Sequence, residues 1–583
     1  MKTRSASTSL RRSLAGVATL LLLLAAPLFA DSPSDREEIR RTFQKTLALK
    51  PGQKLRIEHS NGAIKIRGQR ESQVSISAAI RVSSSDTEGA RRFAEEIQIS
   101  VEETPSGVSV MTRYPEKKWN FVGRGFVSYS VDYDIAMPEG AQLEARNKFG
   151  DVEISGLKAA ADVKNSNGSI AVRDGRGPQR LENSFGKVDL MRSEGSATIV
   201  NGNGSVTIAD LTGELDLVNR FGAVSVSRLK GRSRISNSNG SVQLEGSGGP
   251  ADVTSSFGSV TAKNVEGDLS VKTNNGSIEA SNVQGNAELT GSFGGIRFSD
   301  VRKRVSCTGN NSAVSGVRTG ETVHVRTSFG AVEITDAAGV EVENSNGKIV
   351  VRSIRGGAML KTSFGAIEAS DVRGNVTAVN DNAAVTLTDI GSSADVRTRF
   401  GKVSLTRIKG WAKVSSDNGG VALSEIGGPA DVRTTFGLLD ASRVQGNLTA
   451  ENSNGAIQAS DIRGSVSART SFGAVKVDGV RENVDVTNQN GSVEVAGLPS
   501  GCGRLTLKTS FAPIRVYLPE GAGYNVSAQT SFGSVRSEIP VGASGSTGRE
   551  SLNGRIGDGR CELRANNSNG NIELLKGGGR KPF

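Results

Sequence analysis

The chain has 583 residues with 72 glycines and three cysteines, and its formal net charge is +11. Three cysteines are too few for a disulfide framework, which excludes a fold held together mainly by disulfides. Four basic residues lie within the first 30 residues, so the rest of the chain has a charge of +7. A charge of that size permits anionic partners without requiring them.

Residues 1–30 have the pattern of an export signal. Four basic residues precede an apolar stretch around Leu20–Leu24, and Pro27–Ala30 offers a small residue for cleavage. The apolar stretch is too short for a transmembrane helix, and Arg11-Arg12 leaves a twin-arginine route open. We therefore expect a protein exported to the periplasm, the cell surface or the exterior, with no integral membrane segment once the signal is removed.

Residues 31–144 combine one early repeat unit with ordinary strands and a helix. Leu55–Ile66 alternates apolar and polar residues around Asn-Gly, and Val74–Val82 and Val127–Ile135 alternate over longer runs. Asp86–Ile97 has the composition of a short helix. We interpret this region as an N-terminal α+β cap, because an uncovered edge of parallel strands would template aggregation.

Residues 145–498 are dominated by a repeat in which Phe-Gly and Asn-Gly alternate. Successive phenylalanines are 36 residues apart, with one step of 35, and an asparagine lies midway between each pair. The structural unit is therefore about 18 residues long. The phenylalanines are Phe149, Phe185, Phe221, Phe257, Phe293, Phe329, Phe364, Phe400, Phe436 and Phe472.

The pattern of one unit predicts a strand, a first corner, a second strand and a second corner. In Val323–Ile334 the valines alternate with polar residues on both sides of Phe329-Gly330. No unit can bury its apolar face alone, so the sequence predicts an all-β fold, a parallel β-solenoid of about 18-residue coils. About 20 coils at a strand spacing of ~4.8 Å give a length of roughly 95 Å. Antiparallel hairpins remain the alternative, because Asn-Gly is a strong hairpin signal.

The same alternation makes a prediction about the first corner. Counting back by twos from Phe329 reaches Val323, so the pattern predicts that the phenylalanine rings point inward. It also predicts that Asn344 and Asn346 point inward and satisfy the backbone of the bend. The single missing residue should come from the second corner at Thr335–Gly339.

Residues 499–583 form irregular C-terminal coils. Phe511 and Phe532 follow at steps of 21 residues, Val541–Gly548 reads as a loop, and Asn567–Ile572 belongs to a last coil. Cys502 and Cys561 lie in this region and could pair in an oxidising compartment. Cys307 follows strand parity and is expected in the core.

A resemblance to a known family starts at Leu49–Gly62. This segment is similar to the opening of the bacterial putative-adhesin family of unknown function, and the later Ser-Asn-Gly and Ser-Phe-Gly coils fit the same family. The resemblance implies an exported β-strand-repeat protein. It supplies no catalytic residues and no cofactor, because its motifs are structural corners.

The residues offer little for catalysis. His59 and His324 are the two histidines, lie in different coils and are expected at the surface. Asp371 and Asp389 occupy equivalent second corners of adjacent coils and could bind Ca²⁺ or share a proton. Capping of the local backbone is the preferred interpretation, because Asn264 and Asn282 stand at the same position. We therefore predict no catalytic, metal or cofactor site.

A row of cations is the main functional signal. Each cation precedes a phenylalanine by three residues, so the row should face outward with a spacing of roughly 9.6 Å. Such a row could bind an acidic glycan or another anionic cell-surface polymer, whereas nucleic acid is not expected. A solvated, salt-bridged face is the preferred interpretation of the row, since Glu343 and Glu451 interleave. The row consists of Arg326, Lys361, Arg397, Arg433, Arg469 and Lys508.

Together these patterns predict an exported, non-catalytic rod with a structural or adhesin-like role that contacts surface polymers. The alternative is an exported polysaccharide-active enzyme on the same scaffold, for which acidic and basic side chains would have to meet in one groove.

Overall fold

The computed structural model describes residues 38–115, 127–499, 501 and 503–577. The predicted export signal and Cys502 lie outside these residues. The fold is nearly all β, with 66% strand and 2% helix, and forms a parallel β-solenoid of about 21 turns. The predicted fold class is confirmed, and the antiparallel-hairpin alternative is wrong for the repeats. Within the described ranges, no helix is long and apolar enough to span a membrane.

Each regular coil contributes one strand to each of two sheets, which we call face A and face B. Strands pair in parallel with the strand one coil away, so that Val396 on face A lies between Ala378 and Val414. The first corner, which carries Phe or Asn, joins face A to face B, and the second corner leads to the next coil. The core is the space between the two sheets.

The strands of face A begin the coils. In spatial order they are Lys54–Glu58, Gln142–Phe149, Ala161–Asn167, Gln179–Phe185, Ala197–Asn203, Leu215–Phe221, Ser233–Asn239, Ala251–Phe257, Leu269–Asn275, Ala287–Phe293, Val305–Asn311, Val314–Thr327, Val332–Asn344, Ala358–Thr362, Val376–Asn380, Ala394–Thr398, Ala412–Ser416, Ala430–Thr434, Leu448–Asn452, Val466–Thr470, Val484–Asn488, Leu505–Thr509, Cys561–Asn567 and Tyr524–Thr530.

The strands of face B follow the first corner. Val314–Thr327 and Val332–Asn344 run through both faces, and the others are Ile64–Gln69, Val152–Ser155, Ile170–Arg173, Val188–Glu194, Val206–Thr212, Val224–Leu229, Val242–Ser247, Val260–Val265, Ile278–Val283, Ile296–Val301, Ile349–Ile354, Ile367–Val372, Val385–Ile390, Val403–Ile408, Val421–Ile426, Leu439–Val444, Ile457–Ile462, Val475–Val480, Val493–Ala496, Ile514–Leu518, Ile572–Lys576 and Val535–Ser537.

The second corner depends on a residue in the left-handed conformation. Sixteen residues other than glycine have φ between 48° and 59°, all at this corner and 17 or 18 residues apart or a multiple of that step. At Arg407, with φ 55°, the chain turns so that Ile408 points inward immediately afterwards. The left-handed conformation costs an L-residue roughly 1–2 kcal/mol, so the stacked fold must hold it in place.

The missing residue of the repeat lies at this second corner, as predicted. Thr319 pairs with Ala337 but Thr322 pairs with Gly339, so the pairing step shortens by one residue between Ala337 and Gly339. The face A strands beyond this point pair with the usual step again. An irregularity in the pairing at the second corner therefore absorbs the deletion, and the strands on either side keep their inward residues.

The prediction that the phenylalanine rings point inward is wrong. Phe221 is 51% exposed, and the preceding inward position belongs to Asn219, which is 1% exposed. The Asn219 amide donates to the carbonyl of Gly222 at 3.0 Å and to Asn237 Oδ1 at 3.1 Å, which closes the bend from inside. The ring therefore lies on the outer side of the bend.

The glycine after each ring explains why strand parity fails here. Gly222 has φ +122°, and a Cβ at this position would lie 2.3 Å from the carbonyl oxygen of Gly204 in the coil below. The backbones of successive coils thus approach closely at the glycine. The same bend places Asn344 inward, as predicted, but leaves Asn346 exposed, so the inward position predicted for Asn346 is wrong. The Asn346 amide still donates to a backbone carbonyl of the bend, that of Ser328, at 3.3 Å.

The N-terminal cap is built as the sequence predicts. The strand Gly107–Arg113 pairs in parallel with face A of the first coil and is followed outward by the antiparallel strand Gln98–Thr104. On face B, Ser128–Pro138 pairs with the first coil, and Gln73–Ser83 and Glu38–Ala48 add antiparallel to it. The helix Thr87–Glu96 is capped by Asp86, whose Oδ1 accepts from Gly89 N at 2.9 Å. Its buried Ala90, Phe93 and Ala94 pack on the two outer strands.

The C-terminal end contains a re-entrant coil. Cys561–Asn567 inserts between Leu505–Thr509 and Tyr524–Thr530, although it follows both in the chain. The antiparallel strands Ser551–Ile556 and Gly542–Thr547 then cover the last parallel edge. Gly542–Thr547 falls within the segment predicted as a loop, so that prediction is wrong. Cys561 is disulfide-bonded.

Candidate binding surfaces

The predicted cation row exists as one outward file on face A. Successive coils pair Arg326 with Glu343, Glu343 with Lys361, Arg397 with Ser415, and Ser415 with Arg433. Cations thus stand in every second coil, roughly 9.6 Å apart. The structure therefore brings the six predicted residues together in the predicted order.

Neighbouring carboxylates neutralise most of this row. Arg326 and Arg433 pair with Glu343 and Glu451 at 3.2 and 3.1 Å. Arg397 pairs with Asp395 at 3.3 Å, and Arg469 also contacts Glu451, at 3.6 Å. Of the six, Lys361 and Lys508 alone have no ion pair with another described residue. These contacts are the ones expected of a solvated, salt-bridged face.

A long groove follows the second corner in the C-terminal half of the solenoid. It has a volume of about 1380 Å³ and extends from Asp371 to Pro499. Its bottom follows the backbone of the residue after each left-handed position, for example Ile390, Ile408 and Ile426, whose side chains are buried in the core. One wall consists of the left-handed residues themselves, and the other consists of the residues two positions after them.

Ion pairs between neighbouring coils order the left-handed wall. Both oxygens of Asp389 accept from Arg407, at 2.5 and 2.8 Å, and Arg443 pairs with Glu425 at 3.0 Å. The hydrogen bond from Arg407 holds the pKa of Asp389 below its usual range. The predicted backbone capping by Asp389 is therefore wrong, because its carboxylate bonds to the next coil. The described residues contain no group of three potential metal ligands.

The opposite wall of the groove carries four cations without partners. Arg373, Lys409, Arg463 and Arg481 are exposed, and none of their side chains has an ion pair or hydrogen bond with another described residue. Arg463 and Arg481 stand in adjacent coils, roughly 4.8 Å apart along the axis. Arg373 and Arg463 each stand two residues after a corner Asp. Lys409 and Arg481 occupy the same position after Arg407 and Gly479, so no single motif marks the four cations in the sequence.

The first corner presents a file of exposed aromatic rings, which we call the Phe file. Its twelve members are 50–78% exposed, and a partly or fully exposed Asn corner separates consecutive rings. The Phe file consists of Phe149, Phe185, Phe221, Phe257, Phe293, Phe329, Phe364, Phe400, Phe436, Phe472, Phe511 and Phe532.

The alternation of Phe and Asn continues through the re-entrant coil. Asn569 N donates to Ser510 O in the coil of Phe511, and Phe532 N donates to Ser568 O in the coil of Asn569. The spatial order is therefore Phe511, Asn569, Phe532, although the chain order differs. Alternation is thus a property of the assembled surface and not only of the tandem sequence.

The two histidines have different environments. His324 is partly exposed and lies 2.9 Å from Glu341, as expected for a surface residue. His59 is buried, so the surface expectation is wrong for it. Its Nδ1 is hydrogen-bonded to Thr112 Oγ1 at 3.1 Å, and burial lowers its pKa to about 4. His59 occupies the inward corner position that Asn147 fills in the neighbouring coil.

Comparisons with known proteins identify no family. No family model matches the chain, and no curated protein matches it. Among solved structures, a "putative cell adhesion protein" from Clostridium sporogenes matches with 13% identity, covering 42% of this chain and 100% of that one. The TM-score is 0.14, so this likeness carries no argument about fold or function.

Proposed function

We propose that this protein is an exported, adhesin-like rod that acts by binding, and that the second-corner groove holds an anionic cell-surface polymer. The observation that carries the proposal is the row of four cations along one wall of the groove, none of which has a partner among the described residues. Unpaired cations in a groove attract anions more strongly than cations already neutralised by neighbouring carboxylates.

The groove fits an extended ligand. Arg373 and Lys409 are two coils apart, and Lys409 and Arg463 are three coils apart, which gives steps of roughly 10 and 14 Å. Arg463 and Arg481 repel each other across one coil, and a carboxylate, sulfate or phosphate group between them would relieve that repulsion. A linear acidic glycan or the phosphorylated core of lipopolysaccharide can place such groups along the whole groove.

Binding, and not cleavage, is the role that these side chains support. A glycosidase needs a carboxyl group that holds a proton near neutral pH. The hydrogen bonds from Arg407 lower the pKa of Asp389, which favours its ionised form, and Glu425 forms an ion pair with Arg443. Both carboxylates are therefore occupied in tying adjacent coils together.

The test compares two variants that each lose four positive charges. The groove variant changes Arg373, Lys409, Arg463 and Arg481 to Gln. Glutamine is chosen because Gln445 already occupies the equivalent position in another coil. The control variant changes Lys361, Arg397, Arg433 and Arg469 to Ser, as at Ser415 in the same file. The measurement is retention on immobilised polygalacturonate and on lipopolysaccharide across a salt series.

We expect the wild type and the control variant to be retained with a steep salt dependence, because bound polyanions release counterions. The groove variant should lose about tenfold or more in affinity and show a shallower salt slope. If the control variant loses binding while the groove variant retains it, the cation row on face A is the site. If neither polymer is retained by the wild type at low salt, the proposed function is wrong.

A further inference from the structure

The Phe file is too apolar and too regular for an ordinary solvent-exposed edge. Each ring leaves roughly 100 Å² in contact with water, so twelve rings expose roughly 1,200 Å² along one line. Asn corners separate the rings, so they form a row of small apolar patches whose summed area exceeds the largest apolar patch of a typical monomer, about 300–600 Å². Such a surface calls for a partner, and the geometry of the file restricts what that partner can be.

The partner must match the period of the file. Rings recur every second coil, roughly every 9.6 Å, with a small Asn corner between them. A second copy of this chain has that period by construction. If the rings of one copy enter the gaps of the other, neighbouring rings are offset by about 4.8 Å along the axis, which lies within the preferred separation of aromatic pairs.

We propose that the Phe file is a self-association surface on which a second copy of the chain packs antiparallel, with every ring opposite an asparagine. The row of first corners that carries the Phe file runs from Asn61 to Phe532 and has 24 corners in spatial order, twelve with Phe and twelve with Asn. It begins with Asn61 and ends with Phe532, so reversing one copy places Phe against Asn at every corner. The two-fold axis passes between Phe329 and Asn346.

Charges beside the file are compatible with the antiparallel arrangement and disfavour a parallel arrangement in full register. At each corner we consider two positions, the residue before the corner Phe or Asn and the residue two after it. A charged residue occupies at least one of these positions in seven of the 24 corners. In the antiparallel arrangement each of these seven corners faces one that has no charge at either position. In a parallel arrangement in full register every charge would face its own copy, which is repulsive. The charged residues are Lys148, Asp151, Lys187, Arg220, Lys348, Asp381, Arg399, Lys402 and Asp417.

The area and the symmetry suit a stable dimer. The rings alone would bury roughly 2,400 Å² over both copies, which is above the standard interface size and within the range of permanent homodimers. A perpendicular two-fold axis makes the contact isologous, so the association closes at two copies and does not propagate. The groove lies at the second corner, and its binding can be measured separately from dimerisation.

The first experiment measures mass by sedimentation and light scattering on the full mature chain. The variant carries Phe293→Asn, Phe329→Asn, Phe364→Asn and Phe400→Asn, substitutions that the alternate corners already accommodate. We expect a dimer for the wild type and a dissociation constant at least 100-fold weaker for the variant. The control is the quadruple Ser variant of the cation row, which should stay dimeric. A monomeric wild type at tens of micromolar, or a variant that dimerises equally well, overturns the proposal.

The second experiment tests direction with single cysteines and a short bismaleimide cross-linker. Asn167→Cys and Phe511→Cys lie opposite each other in the antiparallel dimer, so the two variants should cross-link when co-expressed and neither should cross-link alone. The native Cys307 is buried and does not interfere. Cross-linking of Asn167→Cys with itself overturns the antiparallel arrangement. A wild type that stays monomeric and binds neutral vesicles or an uncharged glycan through these rings would assign the file to that partner instead.

Discussion

The glycine beside each exposed ring should matter more for stability than the ring itself. Phe221 is 51% exposed, so Phe221→Ala removes roughly 90 Å² of buried apolar surface, or about 2 kcal/mol at ~25 cal/mol per Å². In Gly222→Ala the new side chain must accept φ +122° and would place Cβ 2.3 Å from a backbone oxygen. Backbone strain of about 1–3 kcal/mol and a similar cost for the clash give about 4 kcal/mol.

The assay is hydrogen exchange of the coils that contain residues 197–246, combined with urea unfolding. Solenoid coils open locally, so exchange reports the affected coils more directly than a global melting temperature. Phe221→Asn serves as the control, because Asn occupies the neighbouring corners. If Phe221→Ala accelerates exchange more than Gly222→Ala does, the close approach at the glycine is not what holds the corner.

Three further predictions concern other parts of the chain. In the unfolded chain His59 gains a proton below its ordinary pKa of 6.5, whereas in the folded protein it does so only near pH 4. The stability of the first coil should therefore fall by about 3 kcal/mol as the pH drops from 6.5 to 4. His59→Asn should abolish that loss in hydrogen-exchange experiments. Burial raises the pKa of the Cys307 thiol, so it should resist thiol reagents at pH 8 until the coils open, whereas Thr308→Cys on the outer face should react at once. Deleting residues 1–30 should keep the protein in the cytoplasm with an unchanged circular dichroism spectrum, and a truncated protein that is still exported would contradict the signal assignment.

Periodicity was enough to predict the coils, because 18-residue spacing and strand alternation are set by the backbone and the core. The inward residues Val396 and Leu405, the early coil at Leu55–Ile66 and the helix capped by Asp86 all follow from such local patterns. The deletion near Gly339 was also predictable, because a corner tolerates a change in length that a strand does not.

The prediction from strand alternation was wrong at the first corner, because the chain bends there. Alternation assigns Phe221 to the core only if the strand continues straight, whereas the corner turns at Asn219 and the close backbone approach at Gly222 sets the geometry. The groove was not predicted for a related reason. Its walls are set by the left-handed residue at each second corner, and the alternation of apolar and polar residues in the strands carries no information about that conformation. The cation row was found correctly, but its ion pairs depend on side chains in adjacent coils.

The re-entrant coil has a consequence for the order in which the molecule can be completed. Because Cys561–Asn567 and Ile572–Lys576 lie inside the stack, the strands that precede them in the chain cannot take their final neighbours until residues 561–576 have been synthesised. A chain truncated after Ile556 would leave Leu505–Thr509 with an open parallel edge, available to any other chain. The stack can therefore be closed only in a polypeptide that contains residues 561–576.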